Sequence, residues 1–269
     1  MAHPQIATFA RLADGGAKPM RKIEGQKTYL SRTIHAIAYD EVHDELVLPV
    51  PFPQAILTYR GAANGEEPPV RVIQGPLTQM NSPNRLGIDS VNGEIAVPEG
   101  DRVLIFKREA NGNVAPIRVI KGPDTELGGS AVGIDPVNNV LVVAGEYKRE
   151  SVKFRIYDRK ADGNAKPLRV IGGPKSGFLD LSGPFTLYPP KGWILAGDRG
   201  EGGLASPKAY LGVWSINDNG DVPPRWRVGG PNGVFEMPRG VAINPKNKEV
   251  MVSDKRQNAV LTFSLPEIF

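Results

Sequence analysis

A chain of 269 residues with 40% hydrophobic content can bury one substantial core, and its 31 glycines and 25 prolines are too many for a helical protein. The absence of cysteine removes disulfides and thiolate metal sites, and a net charge of +4 without any Lys/Arg run lacks the clustering that nucleic-acid and membrane binders carry. No stretch approaches 18 apolar residues, and the opening MAHPQIATFARL has no apolar signal core; the expected location is cytoplasmic if that start is native, and secreted or periplasmic if a signal peptide has been removed.

In chain order, the first element is a hairpin over residues 5–25, whose strands are IATFAR and PMRKIEG. Its Asp-Gly turn opens a repeat. The turn glycines are Gly15, Gly65, Gly112, Gly163 and Gly220, spaced by 50, 47, 51 and 57 residues. Four residues after each stands a proline (Pro19, Pro69, Pro116, Pro167, Pro224), and ten after each a second glycine (Gly25, Gly75, Gly122, Gly173, Gly230). An aromatic precedes each turn glycine by six residues (Phe9, Tyr59, Phe106, Tyr157, Trp214), and an arginine follows by six (Arg21, Arg71, Arg118, Arg169), with Trp226 in the fifth copy. A period of about 50 in a chain of short strands marks a propeller or an array.

Units then begin near residues 35, 85, 131, 184 and 239, with first strands HAIAYD, RLGIDS, AVGIDP, PFTLYP and RGVAIN. The second strand of the third unit, NVLVVAG, is nearly continuous in apolar residues and suits burial between layers; the third, VKFRIYD, alternates. The Asp-Gly or Asn-Gly pair supplies the positive φ that hairpin turns use, and the proline marks the entry to a fourth strand. Arginines at one fixed position of that strand read as structural pairing residues at the outer blade edge. Each unit alone leaves a sheet face bare, so the units must pack on one another.

The expected fold is therefore all-β: one β-propeller domain over residues 1–269, of four-stranded antiparallel blades. Five first strands and six third strands are present. This predicts five blades, with the N-terminal hairpin completing the last one and closing the ring, and six blades as the alternative.

The segment MPRGVAINPKNKEVMVSDKRQNAVLTFSL, residues 237–265, resembles the NHL repeat, and SPNRLGIDSVNGEIAVPEGDRVLIFKR resembles it with Glu99 in place of the aspartate. That resemblance implies one of two roles: a non-catalytic binding platform, or a metal-dependent hydrolase of the gluconolactonase-like type. Fold alone does not choose between them.

Aligning the units on the end of the first strand gives two rings of equivalent positions: His35, Asn84, Ser130, Gly183 and Arg239 at the strand starts, and, ten residues beyond each strand end, Val50, Glu99, Gly145, Asp198 and Asp254. In the resembled enzymes a hard cation near the axis is held by such oxygens. Calcium takes about six to eight oxygens, and Glu99, Asp198 and Asp254, with Asn84, could supply several. The competing reading makes these carboxylates caps of their own turns through backbone N–H groups. Three histidines, His3, His35 and His43, cannot build the multi-histidine zinc site of NHL-like amidating lyases, and no nucleophile elbow or phosphate loop is present.

The connections GDRGEGGLASPKAYLGVW and GEYKRESVKF are the longest between second and third strands. Loops on a rigid scaffold carry function, so Tyr147, Lys148, Arg149, Arg199 and Glu201, with Phe235 and Arg239, form the expected recognition surface. The leading expectation is a non-enzymatic platform for a protein, peptide or glycan, without a cofactor; the alternative is a calcium-dependent hydrolase or lactonase. RNA binding lacks the clustered aromatic and basic residues it needs.

Overall fold

The computed structural model describes residues 4–146, 151–181, 185–200 and 207–269. Its architecture is that of a β-propeller, with five blade sheets and the N-terminal hairpin. The chain divides into two compact units, residues 1–95 with 106–117, and residues 96–105 with 118–269.

In the first unit, β1 (Gln5–Thr8) and β2 (Arg21–Glu24) form the expected hairpin. The meander β3 (Ala38–Asp40), β4 (Glu45–Val50), β5 (Ala55–Arg60) and β6 (Arg71–Gln74) is the first blade. Ile23, Leu48, Val50, Leu57 and Tyr59 join the two sheets in one core, with Ile6, Leu46 and Val72 packed against it. The second blade runs β7 (Gly87–Asp89), β8 (Glu94–Pro98), β9 (Arg102–Lys107) and β10 (Arg118–Lys121), and its strands are shared between the units.

The second unit holds β11 (Gly129–Asp135), β12 (Val140–Gly145), β13 (Lys153–Asp158) and β14 (Arg169–Ile171) as the third blade. The fourth is β15 (Thr186–Tyr188), β16 (Trp193–Asp198), β17 (Tyr210–Ser215) and β18 (Trp226–Gly229). The fifth has three strands, β19 (Pro238–Asn244), β20 (Glu249–Asp254) and β21 (Ala259–Ser264). Phe154 meets Phe178, Phe185 and Trp214 at ring-centroid distances of 5.2, 5.3 and 5.7 Å, filling the core between the third and fourth blades.

Every residue of β12 is buried, as its apolar run predicts. The alternation read in the third strand does not survive, because β13 is packed on both faces and buries even Arg155, whose Nη1 donates to the Gly145 carbonyl at 3.0 Å. A charge can be buried there because the guanidinium has a fixed acceptor and Glu126 Oε2 within 3.8 Å.

The repeated glycine turns do more than reverse the chain. Gly65, Gly112, Gly163 and Gly220 each form a parallel bridge to the fourth strand of the preceding sheet, at Ile23, Ile73, Ile120 and Ile171. The residue before the glycine adds a side-chain acceptor: Asn64, Asn111, Asp162 and Asn219 take the N–H of Lys22, Val72, Val119 and Val170 at 2.9–3.1 Å. The residue after it does the same for the next turn, as when Asp221 Oδ1 accepts from Lys175 at 2.7 Å and Ser176 at 3.1 Å. The repeated arginines complete this latch from the other side. Arg21, Arg118 and Arg169 donate to the carbonyls of Gly61, Arg159 and Ile216, just beyond the neighbouring third strand, and Arg71 instead pairs with Glu45. Arg118, Arg169 and Arg71 therefore hold the scaffold, in keeping with the structural reading of that position.

The hairpin is built the same way. β2 pairs with β1 on one edge and with Gly65 on the other, so both of its edges are used. Completion of the last blade by β2 would require β21 to take the place of β1.

Candidate functional site

The second-strand carboxylates sit where the sequence puts them, but their oxygens face the backbone. Asp254 ends β20, is 1% exposed, and accepts four N–H groups: Glu236 and Met237 on Oδ2 at 2.8 and 2.9 Å, Arg256 and Gln257 on Oδ1 at 3.0 and 3.2 Å. Two donors per oxygen occupy the lone pairs a cation would need. Asp198 ends β16 and accepts from Leu179, Asp180 and Gly200 at 2.8–3.1 Å. Burial pushes its carboxyl above the usual range, opposed by those hydrogen bonds, and the nearby Asp180 charge raises it further. Each aspartate thus pins the loop that enters its own blade. Glu99 is half-buried, and its backbone N–H donates to Arg102 at 2.9 Å. Among the described residues, no group of three or more His, Asp or Glu side chains is placed to hold a metal ion. Calcium does not fit Asp198 and Asp254 as they are bonded.

What these caps position is an arginine pair. Asp198 fixes Asp180, and Arg199 Nη2 donates to both Asp180 oxygens at 2.8 and 2.7 Å, while its backbone N–H donates to the Asp180 carbonyl. Asp254 fixes residues 236 and 237, just before the bulge between Pro238 and Gly240 that isolates Arg239 from the ladder. A bulge re-aims its extra residue. β16 and β19 are packed neighbours, and a Cβ at Gly197 would lie 3.0 Å from Pro238 Cβ, so any larger residue there would press the two strands apart by a few tenths of an ångström. Burial holds the Arg239 pKa below its usual value; the Arg199 charge lowers it further and Asp180 opposes both. Arg239 is half-buried and makes no hydrogen bond or ion pair among the described residues, and Arg199 Nε is buried without an acceptor.

The remaining expected residues divide. His35 is exposed in the segment before β3, and Asn84 Nδ2 closes a local turn on the Ser82 carbonyl at 2.8 Å. Both belong to the first unit, whereas Arg199 and Arg239 belong to the second. Ser130 occupies the equivalent bulge of β11. Tyr147, Lys148, Arg149, Gly183 and Glu201 lie outside the described residues. Phe235 is not a recognition residue: it is 3% exposed, with its ring 5.2 Å from Phe263 in the core of the last two blades. His43 Nδ1 lies 2.9 Å from Asp40 Oδ2, where the corresponding turns use Asn92 and Asn138.

Sequence reasoning missed Asp180, which carries no repeat signal. It also missed the first-strand caps Asp40, Asp89 and Asp135, each taking two turn N–H groups on Oδ1, although the recurrence of aspartate at that strand end was there to find. A cavity of about 680 Å³ lies elsewhere, with Asp124, Glu126, Lys153, Lys166 and Arg169 among its lining residues.

No protein-family profile and no curated protein sequence matches the chain. Solved structures do. It is similar to a chain of Kuenenia stuttgartiensis hydrazine synthase (TM-score 0.56, 12% identity, 84% of this chain and 58% of that one), so the chain spans under two thirds of that protein's length. It is similar to a chain of a nidogen/laminin complex (TM-score 0.58, 15% identity, 86% and 76%) and to the β-propeller domain of Myceliophteria thermophila Cps50 (Swd1) (TM-score 0.55, 11% identity, 90% and 68%). At such identities the likeness defines a class, the β-propellers, and not a function.

Proposed function

We propose that this chain is a non-enzymatic β-propeller that holds a protein partner on the loops joining its blades, with an NHL-like repeat as its scaffold. The observation that carries the reading is the use of Asp198 and Asp254. Carboxylates that a calcium-dependent hydrolase would turn toward substrate spend their oxygens on backbone amides, and thereby fix loops that present arginines. The NHL-like residues Pro238, Gly240, Val241 and Ala242 belong to β19, which directly follows one such loop, and Asp254 is the cap of that loop. A propeller of this class was solved in a nidogen/laminin complex, which supports a protein as the kind of partner. No helix among the described residues is long and apolar enough to cross a membrane.

A random peptide library displayed against the immobilised chain tests the reading. Enrichment of peptides whose binding is lost in Arg239→Glu supports it. Failure to enrich any peptide, together with lactone hydrolysis that requires calcium, would replace it with the hydrolase alternative.

A further inference from the structure

We infer that Arg239 and Arg199 form a receptor for a carboxylate on an acidic, partly apolar peptide segment of the partner; this rests on the platform reading and names what the platform recognises. The packing of β16 against β19 brings the Arg199 and Arg239 guanidinium groups within electrostatic reach of each other and of one carboxylate, Asp180, which is bonded to Arg199. Asp180 is committed to Arg199 Nη2, which leaves the Arg239 fork and Arg199 Nε without acceptors among the described residues. A half-buried arginine held beside a like charge is short of one anion, and a planar carboxylate matches its fork with two parallel hydrogen bonds.

The site is built and not incidental. Each arginine follows a fixed backbone point: Arg199 comes directly after the capping Asp198, and Arg239 occupies the bulge two residues beyond Met237, whose N–H is bonded to Asp254. Little backbone freedom remains to be lost on binding. The same pinned loops carry exposed apolar side chains, Leu179 at 43% and Val234 at 58% exposure, so the segment that fits presents an apolar residue beside its acidic one. A sulfate- or uronate-rich glycan would match the charge but leave those side chains uncovered.

The test titrates the full chain with the blocked peptide acetyl-Glu-Leu-Glu-Leu-amide, its Gln-for-Glu counterpart, and tetragalacturonate, following the arginine side-chain N–H resonances by NMR. The acidic peptide is expected to shift the Arg239 and Arg199 signals and to bind at least about tenfold more tightly than the Gln peptide, a difference of about 1.4 kcal/mol. Arg239→Gln should remove that preference without moving the melting temperature. Asp180→Asn should strengthen binding several-fold by releasing Arg199, which a merely structural role for Asp180 does not produce. Equal affinity for the Glu and Gln peptides, or an Arg239→Gln chain that binds as the parent does, overturns the receptor and leaves the platform reading intact. Tighter binding of tetragalacturonate than of the acidic peptide overturns the peptide assignment. An absence of any enriched peptide in the library selection above overturns the platform reading itself.

Discussion

A buried aspartate in this protein is a backbone ligand first, and its pH behaviour depends on how completely the backbone repays its burial. Asp254→Asn keeps the shape but sets an NH2 group against N–H donors, so it should cost about 1–3 kcal/mol in urea unfolding. Added calcium should leave the parent's midpoint unmoved, whereas a calcium-induced rise lost in the variant would restore the metal reading. Asp40 and Asp198 respond to pH in opposite senses. For Asp40, burial raises the carboxyl pKa, but hydrogen bonds from Ser90 and His43 and the His43 charge outweigh it, leaving the folded pKa below 3.8. The stability it contributes is present above its unfolded pKa and is lost as pH falls through the folded value. Asp198, raised above 3.8 mainly by burial, contributes stability that is full below its unfolded pKa and is lost as pH rises through the folded value. Urea melts across acid pH should therefore show Asp40→Asn losing the parent's decline toward low pH, and Asp198→Asn losing a decline toward higher pH. The same slope from both variants would refute the assignment.

The recurring element is the latch between one blade's fourth strand and the next blade's turn. Its second glycine is required sterically as well as by dihedral: Gly173 has φ +133°, and a Cβ there would sit 2.5 Å from the Asp221 carboxyl carbon. Gly173→Ala should cost about 2 kcal/mol or more in chemical denaturation, because neither the backbone nor the latch can yield cheaply. Gly15, at φ +55° with nothing near its missing Cβ, should lose only about 1 kcal/mol on the same substitution. A second tie joins third strands to these turns. Buried Tyr59 and Tyr157 donate to the carbonyls of Thr28 and Thr125, and burial raises both phenol pKa values. Phe106 holds the equivalent position without a hydroxyl. Tyr157→Phe should thus destabilise by about 1–2 kcal/mol, and Phe106→Tyr, aimed at the Thr78 carbonyl, should return about 0.5–1 kcal/mol; thermal melts of both variants decide it. The glycine spacing that exposed the repeat is the trace of this latch. Thr28, Thr78, Thr125 and Ser176, each three residues after a second glycine and bonded back to its carbonyl, were equally regular but look ordinary in sequence.

At the scale of the molecule, four blades have four strands and the last has three, leaving β21 as a sheet edge. The residues beyond it turn back on their own blade's neighbour. Ile268 is buried and its carbonyl accepts from Trp193 Nε1 at 3.1 Å, while Phe269 packs on Tyr188 at 5.1 Å. Trp226 shares this cluster with Leu265 and Phe269, which accounts for an indole where the other copies need an arginine. Those β21 amides that point away from β20 should exchange with solvent faster than those of β17, whose outer edge is paired with β18. Protection of the β21 amides equal to that of β17 would instead mean that a fourth strand, such as β2 released from β1, completes the blade.

Periodicity determined by itself the all-β class, the blade meander and the structural role of the repeated arginines, because a contact repeated in every unit leaves its residue in every unit. The candidate site is not repeated. Arg199 was legible as a residue of the longest connection between second and third strands and Arg239 as one entering the last blade, but their partnership depends on Asp180, on the bulge at Pro238–Gly240 and on the close approach at Gly197. Likewise the sequence offered Asp198 and Asp254 as either cation ligands or turn caps, and only the tertiary structure decided which groups surround them. A carboxylate binds whatever donors the fold brings within about 3 Å, and here those donors are backbone amides both of the turn that follows each aspartate and of a loop 17–19 residues earlier in the chain.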